Sequence, residues 1–134
     1  MQDRPDATDL LEAVADFLKK EVLAAVKDDS MLAYKTLVSW NMLGVVGREL
    51  RLGQKNLSAD GQELSALLKK PELVGTGDYL SDVEHSREMR TELAGQIRNR
   101  SFNGSGPGSP VWVYARESLK RRLEIANPRF SLEE

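Results

Sequence analysis

Residues 31–53 read MLAYKTLVSWNMLGVVGRELRLG. Within them the twelve residues from Thr36 to Gly47 carry no charge. Leu37, Val38, Trp40, Met42, Leu43, Val45 and Val46 point in nearly all directions around a helix. A helix that is apolar all round must be covered all round. The stretch therefore predicts a second helix, from about Met31 to Leu52, central and mostly buried in a bundle, with Gly53 just past its C-cap. Gly44 and Gly47 each cost about 1 kcal/mol against Ala inside a helix. Their presence predicts the close approach of another helix backbone. A membrane span needs about 20 apolar residues, so this shorter run predicts a buried helix and no transmembrane segment.

Working outward, the rest of the chain predicts four further helices, an all-α bundle of about five in one domain spanning residues 1–134. The first runs from Ala7 to about Lys27, with Asp6 as N-cap and Leu11, Val14, Leu18, Val22 and Ala25 as its apolar stripe, widened by Leu10 and Phe17. Asp29 or Ser30 caps the second helix. A short third helix starts at Ser58, turns Leu64, Leu67 and Leu68 inward, and stops before Pro71. Residues 72–77 form a linker. The fourth helix, from about Asp78 to Arg100, carries a thin stripe of Leu80, Val83, Arg90, Leu93 and Ile97, with Met89 beside it. Residues 101–109, SFNGSGPGS, read as a flexible loop. Ser109 then Pro110 is an N-cap followed by proline in the first turn, which opens a fifth helix to about Ala126. Its apolar face is Val111, Tyr114, Ala115, Leu119, Leu123 and Ala126.

Composition narrows the function. The 134 residues hold 19 Lys and Arg against 21 Asp and Glu, a net charge of -2. Bulk charge gives no pull toward nucleic acid or anionic lipid. With no Cys, thiol chemistry, disulfides and zinc-thiolate sites are excluded, and a single His, His85, cannot build a multi-histidine centre. The chain is long enough for a core without staples. Its start, MQDRPDATD, lacks an apolar h-region, so no signal peptide is read and the expected location is the cytoplasm.

Candidate chemistry is sparse. Asp78, Asp82 and His85 share a helix face, with Glu88 one turn on, but charge-rich faces of this kind are ordinarily solvated. No metal site and no cofactor is expected. Glu84, Glu88 and Glu92 form an acidic ridge, which Arg87 and Arg90 can neutralise. The basic run Lys120-Arg121-Arg122 with Arg116 has no phosphate loop beside it, so no nucleic-acid partner is expected. No Walker loop, GxGxxG, HExxH or GxSxG occurs, and no catalytic residue is assigned. Asn41 and Arg48 lie two turns apart on the second helix; with Arg129 they can line a cleft for a carboxylate or phosphate. Alternatively Asn41 bonds backbone and Arg48 pairs with an acid. Trp112 and Tyr114, beside the loop, are candidate interface anchors, and one of them can instead be core.

The order of Arg4-Pro5-Asp6-Ala7, Leu10-Leu11-Glu12-Ala13-Val14, Phe17-Leu18, Asn41, Arg48-Glu49-Leu50-Arg51-Leu52-Gly53 and Leu123-Glu124-Ile125-Ala126-Asn127-Pro128-Arg129-Phe130 resembles a bacterial family filed as a domain of unknown function. The resemblance spans residue 4 to about 130. It implies a stand-alone cytoplasmic protein, often encoded beside aminoglycoside-phosphotransferase-like kinases and acyl-CoA dehydrogenases. That implies an accessory role toward such a partner enzyme, and it assigns no activity. Two readings follow: a non-catalytic interaction protein, with a homodimer as a variant, or a binder or enzyme for a small anionic ligand at Asn41 and Arg48.

Overall fold

The computed structural model describes residues 5–71, 77–99, 104 and 106–130. All regular structure among them is helical. The first helix, α1, is α-helical over Ala7–Phe17, passes through a π turn at Leu18–Val22 and resumes over Leu23–Ala25. It is followed by α2 (Ser30–Leu68), α3 (Tyr79–Arg98) and α4 (Pro110–Ala126). The all-α bundle class holds, with four helices where five were expected. The expected second and third helices are one helix of 39 residues. Gly53 does not end it: positive φ among described glycines occurs at Gly77 and Gly108 only. No proline lies between Ser30 and Leu68 to break the ladder, and a mid-helix Gly costs only about 1 kcal/mol. The helix stops instead at Lys69, left-handed at φ 55°, where the Lys70 N–H donates back to the Ser65 carbonyl at 3.0 Å. This is a Schellman closure without glycine.

Caps fall where the sequence places them. Asp6 accepts from the Asp9 N–H at 2.9 Å while Asp9 accepts from the Asp6 N–H, a reciprocal capping box. Asp29 accepts from the Leu32 N–H at 3.1 Å. Ser109 accepts from the Trp112 N–H at 3.2 Å, with Pro110 in the first turn. The linker expected at 72–77 lies outside the described residues except for Gly77, as do residues 101–103 and 105 of the loop expected at 101–109; its described residues 104 and 106–109 are not helical.

The chain divides into two compact units, Met1–Leu52 and Gly53–Glu134. The first is a hairpin of α1 and the N-terminal part of α2. Lys19 lies 3.8 Å above the Trp40 ring, and Arg51 reaches Glu12 at 3.2 Å. Thr36 and Gly47 are buried, with Ala33, Trp40, Leu43 and Gly44 half-buried on the same side of α2. The other sides are not covered: Met31, Leu32, Tyr34, Leu37, Met42, Val46 and Leu50 are exposed. The expectation of a mostly buried second helix is therefore corrected for this unit. One neighbouring helix covers one face, and the apolar residues on the remaining faces stay outside. Nor do the glycines admit a second backbone. The nearest atoms a Cβ at Gly44 would meet belong to the guanidinium of Arg48 on its own helix, from 3.2 Å, and one at Gly47 would meet that of Arg51, at 3.9 Å.

The second unit holds the hydrophobic core. Leu64, Leu68, Met89, Leu93 and Tyr114 pack together, with Leu67 and Ile97 against them. Leu80 and Leu119, expected on apolar faces, are exposed. On α4 the buried line is Val111, Tyr114 and Ser118, so the face is rotated away from Leu119.

Candidate functional site

Two places in the molecule are candidates for a functional site. One is a polar cluster in the core of the second unit; the other is the apolar surface of the first.

Asp60 sits one turn before Leu64 and two before Leu68, so helical spacing puts its carboxylate on the core side of α2. It is 5% exposed. Such a charge is tolerable only when paired and hydrogen-bonded. Five side chains supply this. Its Oδ2 accepts from Ser86 Oγ at 2.7 Å and Arg90 Nη1 at 3.0 Å, both on α3. Its Oδ1 accepts from Tyr114 Oη at 2.7 Å, Ser118 Oγ at 3.2 Å and, at the limit of 3.5 Å, Arg121 Nη2, all on α4. Arg121 is held mainly by Glu63, which takes both Nη1 and Nη2, at 3.1 and 2.6 Å. The bidentate geometry is the strong form of such a pair. Two carboxylates thus face two guanidiniums, and one carboxylate ties three helices.

The electrostatics of the cluster are those of a fixed support. Burial pushes the Asp60 carboxyl up, but hydrogen bonds from Ser86 and Tyr114, the Arg90 charge and the Ser118 hydroxyl outweigh it and hold the group below its ordinary value. Burial, then the bond to the Asp60 carboxylate, push the Tyr114 phenol far up, so it remains a donor. The Glu63 hydrogen bonds hold Arg121 above its usual range. A carboxylate whose oxygens already take five donors, and which stays ionised, has nothing left with which to accept a substrate proton. The cluster serves the fold. Ser65 Oγ, nearby on α2, is buried with no hydrogen-bond partner.

The predicted site residues are dispersed. Asn41 is exposed on α2. Arg48 is half-buried with its guanidinium against Gly44. Both belong to the first unit, and Arg129 is exposed in the second. Trp112 is 38% exposed, with Arg116 5.9 Å from its ring centre, and Val113 beside it is also exposed. Tyr114 is buried on Asp60, so it is the core member of that pair. His85 contacts Glu88 at 3.7 Å on an open helix face. Among the described residues no group of three or more His, Asp or Glu could hold a metal ion. Two of the three members of the acidic ridge are paired, Glu84 with Arg87 at 2.8 Å and Glu92 with Lys70 at 2.6 Å. Arg90, expected to join them, turns to Asp60 instead. No helix among the described residues is long and apolar enough to cross a membrane.

Asp60 was missed by sequence reading, although a signal exists. An acid stands in the register of Leu64 and Leu68, while Ser86 and Arg90, and Tyr114 and Ser118, recur at four-residue spacing on two other helices.

The second site is the surface of the first unit. None of its described hydrophobic residues is buried, while ten large ones are exposed: Leu10, Val14 and Phe17 on α1 and seven on α2. Leu10, Val14 and Phe17 share a stripe, distinct from the half-buried Leu11, Ala15 and Leu18. Each helix of the hairpin thus has a second apolar side turned to solvent.

The described residues define a small all-α chain with a buried polar cluster in its second unit and exposed apolar side chains in its first. Residues 24–130 match the family DUF6285, a domain of unknown function, and the chain belongs to it. The match takes in the whole of α2, α3 and α4, and with them the Asp60 cluster; most of α1 precedes it. No curated protein and no solved structure matches the chain.

Proposed function

We propose that this chain is a non-catalytic accessory protein that binds a protein partner through the apolar surface of its first unit. The observation that carries this reading is the contrast within that unit: ten large apolar side chains exposed and no hydrophobic residue buried among those described. Contiguous exposed apolar surface on a soluble protein marks an interaction site. The polar cluster of the second unit supports the same reading, because its groups are spent on each other. The resemblance described above nominates a kinase-like or acyl-CoA dehydrogenase enzyme as partner.

The test is affinity capture from an extract of the source cells with two baits, the full chain and a Phe17→Glu, Met42→Glu variant. The expected result is stoichiometric recovery of a protein by the first bait and its loss with the second. Equal recovery by both overturns the assignment to this surface. Recovery of nothing by the first bait, from a chain that is also monomeric, overturns the interaction reading itself.

A further inference from the structure

The two ends of α2 are held by unlike means. Toward its C-terminus the helix is anchored: Asp60, Leu64, Ser65 and Leu68 are buried, and Asp60 bonds to side chains of both α3 and α4. From Ser30 to Leu52, in the first unit, the buried residues are a threonine and a glycine, Thr36 and Gly47. Neither brings a large apolar side chain, and the Thr36 hydroxyl donates to the Leu32 carbonyl of its own helix at 2.7 Å. The Arg51–Glu12 pair between α1 and α2 is solvated, with side chains 51% and 66% exposed, and Lys19, above the Trp40 ring, is exposed as well. Pairs in water hold little.

The local sequence adds little support. Thr36, Val38, Val45 and Val46 are β-branched, and Gly44 and Gly47 lie among them, all of them weak helix formers. The first helix is interrupted by its π turn at Leu18–Val22. In proteins most helical stability comes from tertiary packing, and no described hydrophobic residue of this unit is buried. We propose that the first unit is an arm that opens by itself: α1 separates from α2, the opening runs along α2 toward Gly53, and the helix from Asp60 onward stays folded with the second unit. Proteins open in cooperative parts whose free energies run from near zero to the global value, and parts with little buried apolar surface open first. Here the step falls inside a single helix of 39 residues, so one element joins a loose end to a fixed one. The inference concerns the arm's own stability and stands apart from the partner reading above. A molecule that binds the closed arm and not the open one shifts this equilibrium.

Hydrogen exchange of the full chain in dilute solution, read by mass on overlapping peptides at neutral pH without denaturant, tests the opening. Amides of residues 34–50 are expected to exchange about a hundredfold or more faster than those of residues 62–68, each corrected for its intrinsic rate. Two variants separate local from global opening. Gly47→Ala adds a Cβ whose nearest neighbour, Nη2 of Arg51, lies at 3.9 Å, an ordinary contact. It is expected to slow exchange over residues 34–50 by about fivefold and to leave residues 62–68 as they were. Leu64→Ala empties a site that is 0% exposed. It is expected to speed exchange over residues 62–68 by about tenfold or more and to leave residues 34–50 as they were. Equal protection at the two ends of α2 overturns the inference, as does either variant moving both ends by the same factor. Equal protection together with recovery of a protein that the Phe17→Glu, Met42→Glu bait loses sinks the opening and leaves the partner reading standing.

Discussion

The two units solve the same problem in opposite ways. In the second, three helical segments enclose Leu64, Leu68, Met89 and Leu93, and the ionised Asp60 is matched by five donors. In the first, two helical segments enclose almost nothing, and among the described residues more large apolar side chains face solvent there than in the second. Two helices have one mutual interface. A third is needed before a side chain can be surrounded. The first unit has the hydrophobic content of a bundle and half the helices of one.

The largest expected effect tests the polar side of this contrast. Asp60→Ala strands the Arg90 guanidinium and the hydroxyls of Ser86, Tyr114 and Ser118, while Arg121 keeps Glu63; removing one partner of a buried pair costs about 3–5 kcal/mol. That is a large part of the about 5–15 kcal/mol that holds a domain together. Urea unfolding measures it, and an unchanged midpoint would mean that the cluster does not organise the unit. Next comes a pair of truncations. Leu64 is 0% exposed, so Leu64→Ala should cost about 2–5 kcal/mol. Leu50→Ala, on the exposed arm, should stay within about 0.5 kcal/mol at concentrations where the chain is monomeric. Similar losses for the two would erase the distinction between the units.

pH sharpens the comparison further. The folded Asp60 carboxyl lies below its ordinary value, so its contribution is present above about pH 4, the unfolded value, and is lost as pH falls through the lower folded one. Thermal scans down an acid series should show this loss in wild type and not in Asp60→Asn. A parallel acid limb in both would assign the loss to other carboxyls. The smallest effect concerns Ser65, whose buried hydroxyl lacks a partner. Ser65→Ala should be neutral or stabilise by about 1 kcal/mol, because a desolvated and unpaired hydroxyl is removed. A loss above about 1 kcal/mol on thermal unfolding would show that the hydroxyl is satisfied after all.

Helix type, most caps and the Leu64, Leu67 and Leu68 face were legible in the sequence, because periodicity and capping act over a few residues. Asp6, Asp29 and Ser109 cap as their side chains dictate. The union of two expected helices was not legible. Gly53 and Ser58 carry local stop and start signals, yet the buried Gly53 remains in regular helix, and tertiary packing overrides so weak a preference. The Asp60 cluster was hidden for a different reason. Its six main members come from three helices up to 61 residues apart, and no local pattern announces that a carboxylate and its donors will meet. The side of α2 away from α1 was half legible: its apolar content was read, and the burial expected of Met31, Met42 and Val46 is not found.

The π turn at Leu18–Val22 has a consequence for how α1 tolerates change in length. Its closing bond runs from the Leu23 N–H to the Leu18 carbonyl, one residue wider than the α pattern. A π turn is a single-residue insertion that a helix absorbs without breaking, and one residue is about 100° of helical phase. Deleting one residue there would turn that bond into an ordinary α-helical one and leave a regular helix in which Leu10, Val14 and Phe17 nearly keep their facing relative to Val22. Loss of one amino acid at the turn would thus leave the outward stripe of α1 where it is, whereas the same loss elsewhere in α1 would rotate the residues on one side of it by about 100° against those on the other.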